Sequence, residues 1–209
     1  PDSISRSLDT ILMNMITNPD AFQYYLVHYL NNYAKSKIVG MDAVYVHLVD
    51  QYYRTGLADW TDKAQLKKIL DNADDLRPIL IGKQAPDITL EDREGEKVGL
   101  YEIEAEYTIL YFWRPDCPHC KKSTPYMIDF YKEYREKGVE LLSVCMKFTD
   151  EIPSCWEYVE SVEDMDIFYN LVDPYHRSKF AKLYNVKSTP QIFVLDDKKE
   201  IVTKRIGAE

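Results

Sequence analysis

Cys117-Pro118-His119-Cys120 sets two thiols three residues apart, close enough to share the first turn of a helix and close a small disulfide ring. The run Tyr107–Trp113 before them is continuously apolar and aromatic, as a buried strand is. The stretch Lys121–Lys137 after them reads as a helix. The pair therefore sits at a strand-to-helix junction, where unpaired N–H groups and the positive helix end favour a thiolate. The chemistry available there is thiol–disulfide exchange, with Cys117 as nucleophile. Pro118 and His119 lie between the thiols and tune them. His119, protonated or donating to sulfur, stabilises the thiolate and lowers the Cys117 pKa. Asp116 pushes the other way, and Lys121 and Lys122 partly offset it.

Two further cysteines complete the set of four. Cys145 falls in Val139–Met146, a strand candidate, and reads as a small buried core residue. Cys155 follows Ile152-Pro153-Ser154 at a helix start, where a spare reactive thiol is an open reading. A zinc site would need two more ligands at suitable spacing, and these two are ten apart without a neighbouring His. Neither metal nor cofactor is expected. A net charge of −9 argues against nucleic acid, because phosphate binding needs clustered Lys and Arg. No run approaches the ~18 apolar residues of a membrane helix.

The elements around the site change character near residue 80. Residues 1–80 hold ten Asp and no Glu, whereas the remainder holds fifteen Glu. In the first part Leu8, Ile11, Leu12, Met15 and Ile16 mark one helical face. Asn18-Pro19 gives an N-cap and a first-turn Pro for a second helix lined by Phe22, Leu26, Leu30 and several tyrosines. Val44–Tyr52 fits a third, and a fourth starts around Asp59–Thr61. From Ile81 strands alternate with helices: Tyr107–Trp113, Val139–Met146, Gln191–Leu195 and Ile201–Ile206 as strands, with helices at 121–137, 155–160 and His176–Tyr184. The expectation is an α/β fold, a central sheet flanked by helices, preceded by a small all-helical unit. The expected domains are 1–80 and 81–209.

The second part resembles the thioredoxin-fold redoxin family, in its TlpA/ResA-like, AhpC/TSA-related branch. The resemblance rests on Gly82-Lys-Gln-Ala-Pro86-Asp-Ile-Thr-Leu90, on Phe112-Trp113-Arg-Pro-Asp-Cys117-Pro-His-Cys120, on Pro125 inside the following helix, and on Ser188-Thr189-Pro190-Gln-Ile-Phe-Val. It implies that Cys117 is the more exposed thiol and Cys120 the buried resolving one. It implies a cis Thr189–Pro190 peptide facing the cysteines, where the Thr189 backbone binds substrate, with Trp113 packed beside the site and counted with Thr189 and Pro190 among the substrate-binding residues. It also implies protein thiols or disulfides and an upstream redox protein as partners. The implied setting is the periplasm or cell envelope, with a leader or lipid anchor trimmed before Pro1 and a C-terminal helix missing after Glu209. Two acids of the family are replaced: the buried acid six residues before the first cysteine is Tyr111 here, and the Glu six residues after it is Ser123. The helical part loosely resembles a domain of unknown function that precedes some envelope redoxins.

Two other readings stand beside exchange. A peroxiredoxin shares the Gly82–Leu100 entrance but needs Thr three residues before its cysteine, where this chain has Arg114. A binding module would use exposed tyrosines of the helical unit to dock a partner. His28, His47 and His176, and the methionines Met13 and Met15, read as structural.

Overall fold

The computed structural model describes residues 1–208 of the chain. Two compact units follow one another, Pro1–Leu80 and a second from Ile81 onward.

The first unit contains helices α1 (Asp2–Met15), α2 (Pro19–Ala34), α3 (Asp42–Leu48) and α4 (Lys63–Leu76). Asn18 caps α2, its side chain accepting from the Ala21 N–H, and Asp62 caps α4 by accepting from Ala64 and Gln65. Such caps satisfy donors that the first helical turn leaves unpaired. The core gathers Leu8, Leu12, Phe22, Leu26, Leu30 and Val44 with Tyr45, Tyr52 and Tyr53. After α3 the chain continues as a π turn, Val49–Tyr53, where the sequence pattern suggested an unbroken α-helix. Met13, expected inside, is half exposed (51%), because it lies off the Leu8–Leu12 face. His47 bonds the Asp9 carboxylate at 2.9 Å, a structural role. Tyr24 is exposed and stacks on His28.

The second unit is built on a five-stranded sheet. Its strands are β3 (Tyr107–Trp113), β4 (Val139–Cys145), β5 (Tyr169–Leu171), β6 (Gln191–Leu195) and β7 (Ile201–Lys204), in the order β5-β4-β3-β6-β7. A separate hairpin pairs β1 (Thr89–Glu91) with β2 (Lys97–Gly99). β3 and β4 run parallel, as do β4 and β5, while β6 and β7 are antiparallel additions. Helix α5 (Pro118–Tyr134) leaves the C-terminal end of β3, α6 (Pro153–Ser161) follows β4, and α7 (Phe180–Leu183) precedes β6. Because β3 is central, it is buried on both faces from Thr108 to Trp113, which explains its unbroken apolar sequence.

The helix expected over His176–Tyr184 is much shorter. The Asp173 carboxylate accepts from the Arg177 and Ser178 N–H groups at 2.9 Å each and from the Ser178 hydroxyl at 2.6 Å. That local turn captures backbone donors a helix would need. His176 takes φ +55 and stacks on Phe148.

Candidate active site

Register brings the site together. Trp113 ends β3 opposite Cys145, which ends β4, so both parallel strands terminate at one edge of the sheet. The chain then turns through Arg114–Asp116 into α5. Cys117 is the N-cap of that helix and Pro118 its first residue, a place where Pro loses nothing by lacking an N–H. The cap is made by sulfur: the Cys120 N–H donates to Cys117 Sγ at 3.3 Å. A thiolate there faces the helix's unpaired donors and positive end.

Both cysteines are thiols, Cys117 partly exposed and Cys120 buried. Burial pushes the Cys117 thiol up. Hydrogen bonds from the Cys120 thiol and the Thr189 side chain, and from the backbone N–H groups of Cys120 and His119, outweigh it and hold the thiol below its ordinary range. Burial, aided by the hydrogen bond to Cys117, pushes Cys120 up to about 12. The Cys117 thiol also donates to the Thr189 carbonyl at 3.3 Å, across 72 residues of sequence. The Thr189–Pro190 peptide is cis.

The expected tuning by His119 takes a different form. Its side chain is exposed, and its backbone N–H, rather than its ring, helps lower the Cys117 pKa. Asp116 is compensated: it pairs with Arg114 at 3.2 Å and with Lys147 at 3.2 Å. Lys147 is itself buried and holds Glu151 at 2.7 Å. The guanidinium of Arg114, which stands where a peroxidase carries Thr, is thus engaged by a carboxylate. A groove of about 750 Å³ opens beside this loop, lined among others by Asp116, Lys121, Lys147, Glu157 and Tyr158.

Hydroxyls stand behind Cys120 in place of an acid. Tyr111 donates to the Cys120 carbonyl at 3.2 Å and contacts Thr124 Oγ1 at 3.2 Å, while Thr124 donates to the same carbonyl at 2.9 Å. Tyr158 reaches Thr124 at 3.4 Å. Burial raises both phenols above their ordinary range, so they remain protonated donors and are not bases. They fix the first turn of α5 ahead of Pro125, which lies within the helix.

Trp113 corrects one expectation. It is 1% exposed, its indole N–H donates to Ser143 at 2.7 Å, and its ring packs 5.0 Å from Tyr158. It supports the floor of the site and offers no surface to a substrate.

Cys145 and Cys155 correct another. They form a disulfide with a Cα separation of 6.2 Å, so neither is a lone core residue or a spare thiol. The spacing of ten residues gave no signal, because the pairing depends on α6 folding back over the end of β4. A crosslink closing so short a loop stabilises by about 2–3 kcal/mol on the chain-entropy account. Replacing both residues by Ala should lower the urea-unfolding free energy by about that amount, with Cys117 alkylation preserved; an unchanged midpoint would contradict the assigned bond.

A mixed sheet flanked by helices, with a C-x-x-C pair on the helix after its central strand, defines a thioredoxin-like redoxin. A family model described as "AhpC/TSA family" matches residues 81–204, and the chain belongs to that family. Its relatives include the thiol-disulfide oxidoreductase ResA of Bacillus cereus, 31% identical over 138 residues, covering 65% of this chain and 75% of the relative. The protein of that name from Halalkalibacterium halodurans is 30% identical over 134 residues, covering 60% and 68%. Among solved structures, a domain of a possible thiol-disulfide isomerase from Cytophaga hutchinsonii is 34% identical with a TM-score of 0.57, covering 63% of this chain and 87% of that one. A thioredoxin-like protein from Bacteroides caccae covers 98% of this chain and 73% of its own at a TM-score of 0.76. Its 16% identity speaks to the fold, the N-terminal helices included. The chain is therefore a homologue of thiol-disulfide oxidoreductases.

Proposed function

We propose that this protein exchanges disulfides with protein substrates through Cys117 and Cys120. The observation that carries the reading is the asymmetry of the pair: a partly exposed sulfur capping a helix, held below its ordinary pKa, and a buried one raised to about 12. The Cys117 thiolate attacks one sulfur of a substrate disulfide, forming a mixed disulfide and releasing a substrate thiolate. Cys120 gives up its proton and attacks Cys117 Sγ. The internal disulfide forms, the second substrate sulfur leaves, and two electrons have passed to the substrate. The reverse sequence donates the disulfide to a substrate dithiol. A substrate segment lying along Thr189 and Pro190 would pair with the Thr189 backbone as an added strand. That would place its sulfur near Cys117, which already touches the Thr189 carbonyl.

The proposal includes an upstream protein dithiol or disulfide as redox partner, a helical domain over 1–80, and a periplasmic or envelope setting. What supports the setting is the Cys145–Cys155 bond, since structural disulfides persist in oxidising compartments.

Alkylation of the reduced protein tests the asymmetry. The rate at Cys117 should rise with pH and level off below the ordinary thiol pKa, because only the thiolate reacts. Cys120 should stay unlabelled until the pH approaches about 12. In glutathione buffers the two should form one reversible disulfide. An unreactive Cys117 at neutral pH, or equal labelling of both, would refute the reading.

A further inference from the structure

The helical unit holds a cavity that the thiol chemistry does not use. Its volume is about 360 Å³, within the range of small-molecule sites. Tyr45, Tyr53 and Leu30 form a buried floor, Trp60 a half-buried wall, and the amides of Gln23, Asn31 and Gln65 stand at the exposed rim. Although 29% of the chain is charged, no residue lining this cavity is.

Tyr45 has a partner, donating to the Ile69 carbonyl at 3.2 Å. Tyr53 differs. It is 3% exposed and lines the cavity, and its hydroxyl, which takes no partner among the described residues, is not sealed from solvent. Burial pushes the phenol up to about 12, so it is a donor at neutral pH. The Trp60 indole N–H is also unpaired among the described residues, its ring packing edge-on to Phe22.

The backbone is arranged around this tyrosine. Tyr53 closes the π turn, which is sealed by the Arg54 N–H on the Val49 carbonyl at 2.9 Å. The wide turn carries both of the adjacent residues Tyr52 and Tyr53 inward, at 2% and 3% exposure. π turns inside helices recur at functional sites.

An ionic ligand would lose its hydration here and meet no counter-charge. The lining instead offers aromatic faces, unpaired phenol and indole donors, and amides that both donate and accept. These match a molecule with many neutral hydroxyls and apolar C–H faces. We propose that the cavity among α2, α3 and α4 binds a neutral sugar. Tyr53 and Trp60 donate to its oxygens, and Gln23, Asn31 and Gln65 bond the hydroxyls nearest solvent. This site stands apart from the exchange chemistry and does not depend on it.

Titration of the full chain with glucose, galactose, N-acetylglucosamine and maltose, followed by the indole N–H signals of its three tryptophans, tests the assignment. Trp60→Phe identifies the relevant signal. At least one sugar should shift it saturably and leave those of Trp113 and Trp156 in place. Tyr53→Phe removes a hydroxyl with no protein partner; it should weaken binding about tenfold and leave disulfide exchange intact. If that variant misfolds, Gln65→Ala at the exposed rim should weaken binding as well. The proposal is overturned if no sugar moves the Trp60 signal, if the soluble variant binds as well as the parent, or if only a neutral peptide such as N-acetyl-tetraglycine amide produces the shift.

Discussion

Cys117→Ser should lower the rate of insulin-disulfide reduction by at least about a thousandfold, with the fold unchanged. Serine is a preferred N-cap residue, so its oxygen can take the Cys120 N–H that sulfur now accepts. What disappears is the ionisable nucleophile, since a hydroxyl at that position has no comparable anion at neutral pH. Far-UV circular dichroism and the urea midpoint should match the parent. Activity within tenfold of the parent would mean that another group attacks the substrate.

Cys120→Ala should have the opposite kinetic signature. Cys117 keeps its helix end, its Thr189 contact and its backbone donors, although it loses the hydrogen bond from the Cys120 thiol. The first attack proceeds and the second cannot. A covalent complex with a disulfide substrate should build up to nearly one per chain on a non-reducing gel, and multiple-turnover rates should fall by about a hundredfold or more. That estimate reflects the high effective concentration of an intramolecular thiol, which free thiols must replace. Failure of the complex to accumulate would show that resolution does not come from Cys120. The Ala variant is preferred because residue 120 is fully buried, and a new hydroxyl there would need a partner.

The fold was legible wherever packing imposes a long pattern. Tyr107–Trp113 stood out because a central strand buried on both faces must be apolar throughout, and α2 because Asn18-Pro19 announces its start. Strands of three residues, β1, β2 and β5, are too short to show a period and were not foreseen. The long helix expected from His176 failed because Asp173, a side chain outside it, competes for its N–H groups. At the site, sequence spacing could pair Cys117 with Cys120, which share one turn. It could not pair Cys145 with Cys155, nor show that Trp113 turns inward to Ser143, since both depend on elements meeting in space. The hydroxyl group behind Cys120 was equally hidden: Tyr111, Thr124 and Tyr158 are scattered over 48 positions and carry no shared motif. The one available hint was the absence of an acid at position 111.

Cys145 and Cys155, each 1% exposed, share a hydrophobic cluster with Cys120. One molecule thus contains a sulfur pair meant to stay joined and another meant to open and close. Structural disulfides generally lie at lower reduction potentials than working ones, so a reductant can open the second and spare the first. Burial reinforces the difference: a dithiol must open the surroundings of the crosslink before it can touch either of its sulfurs.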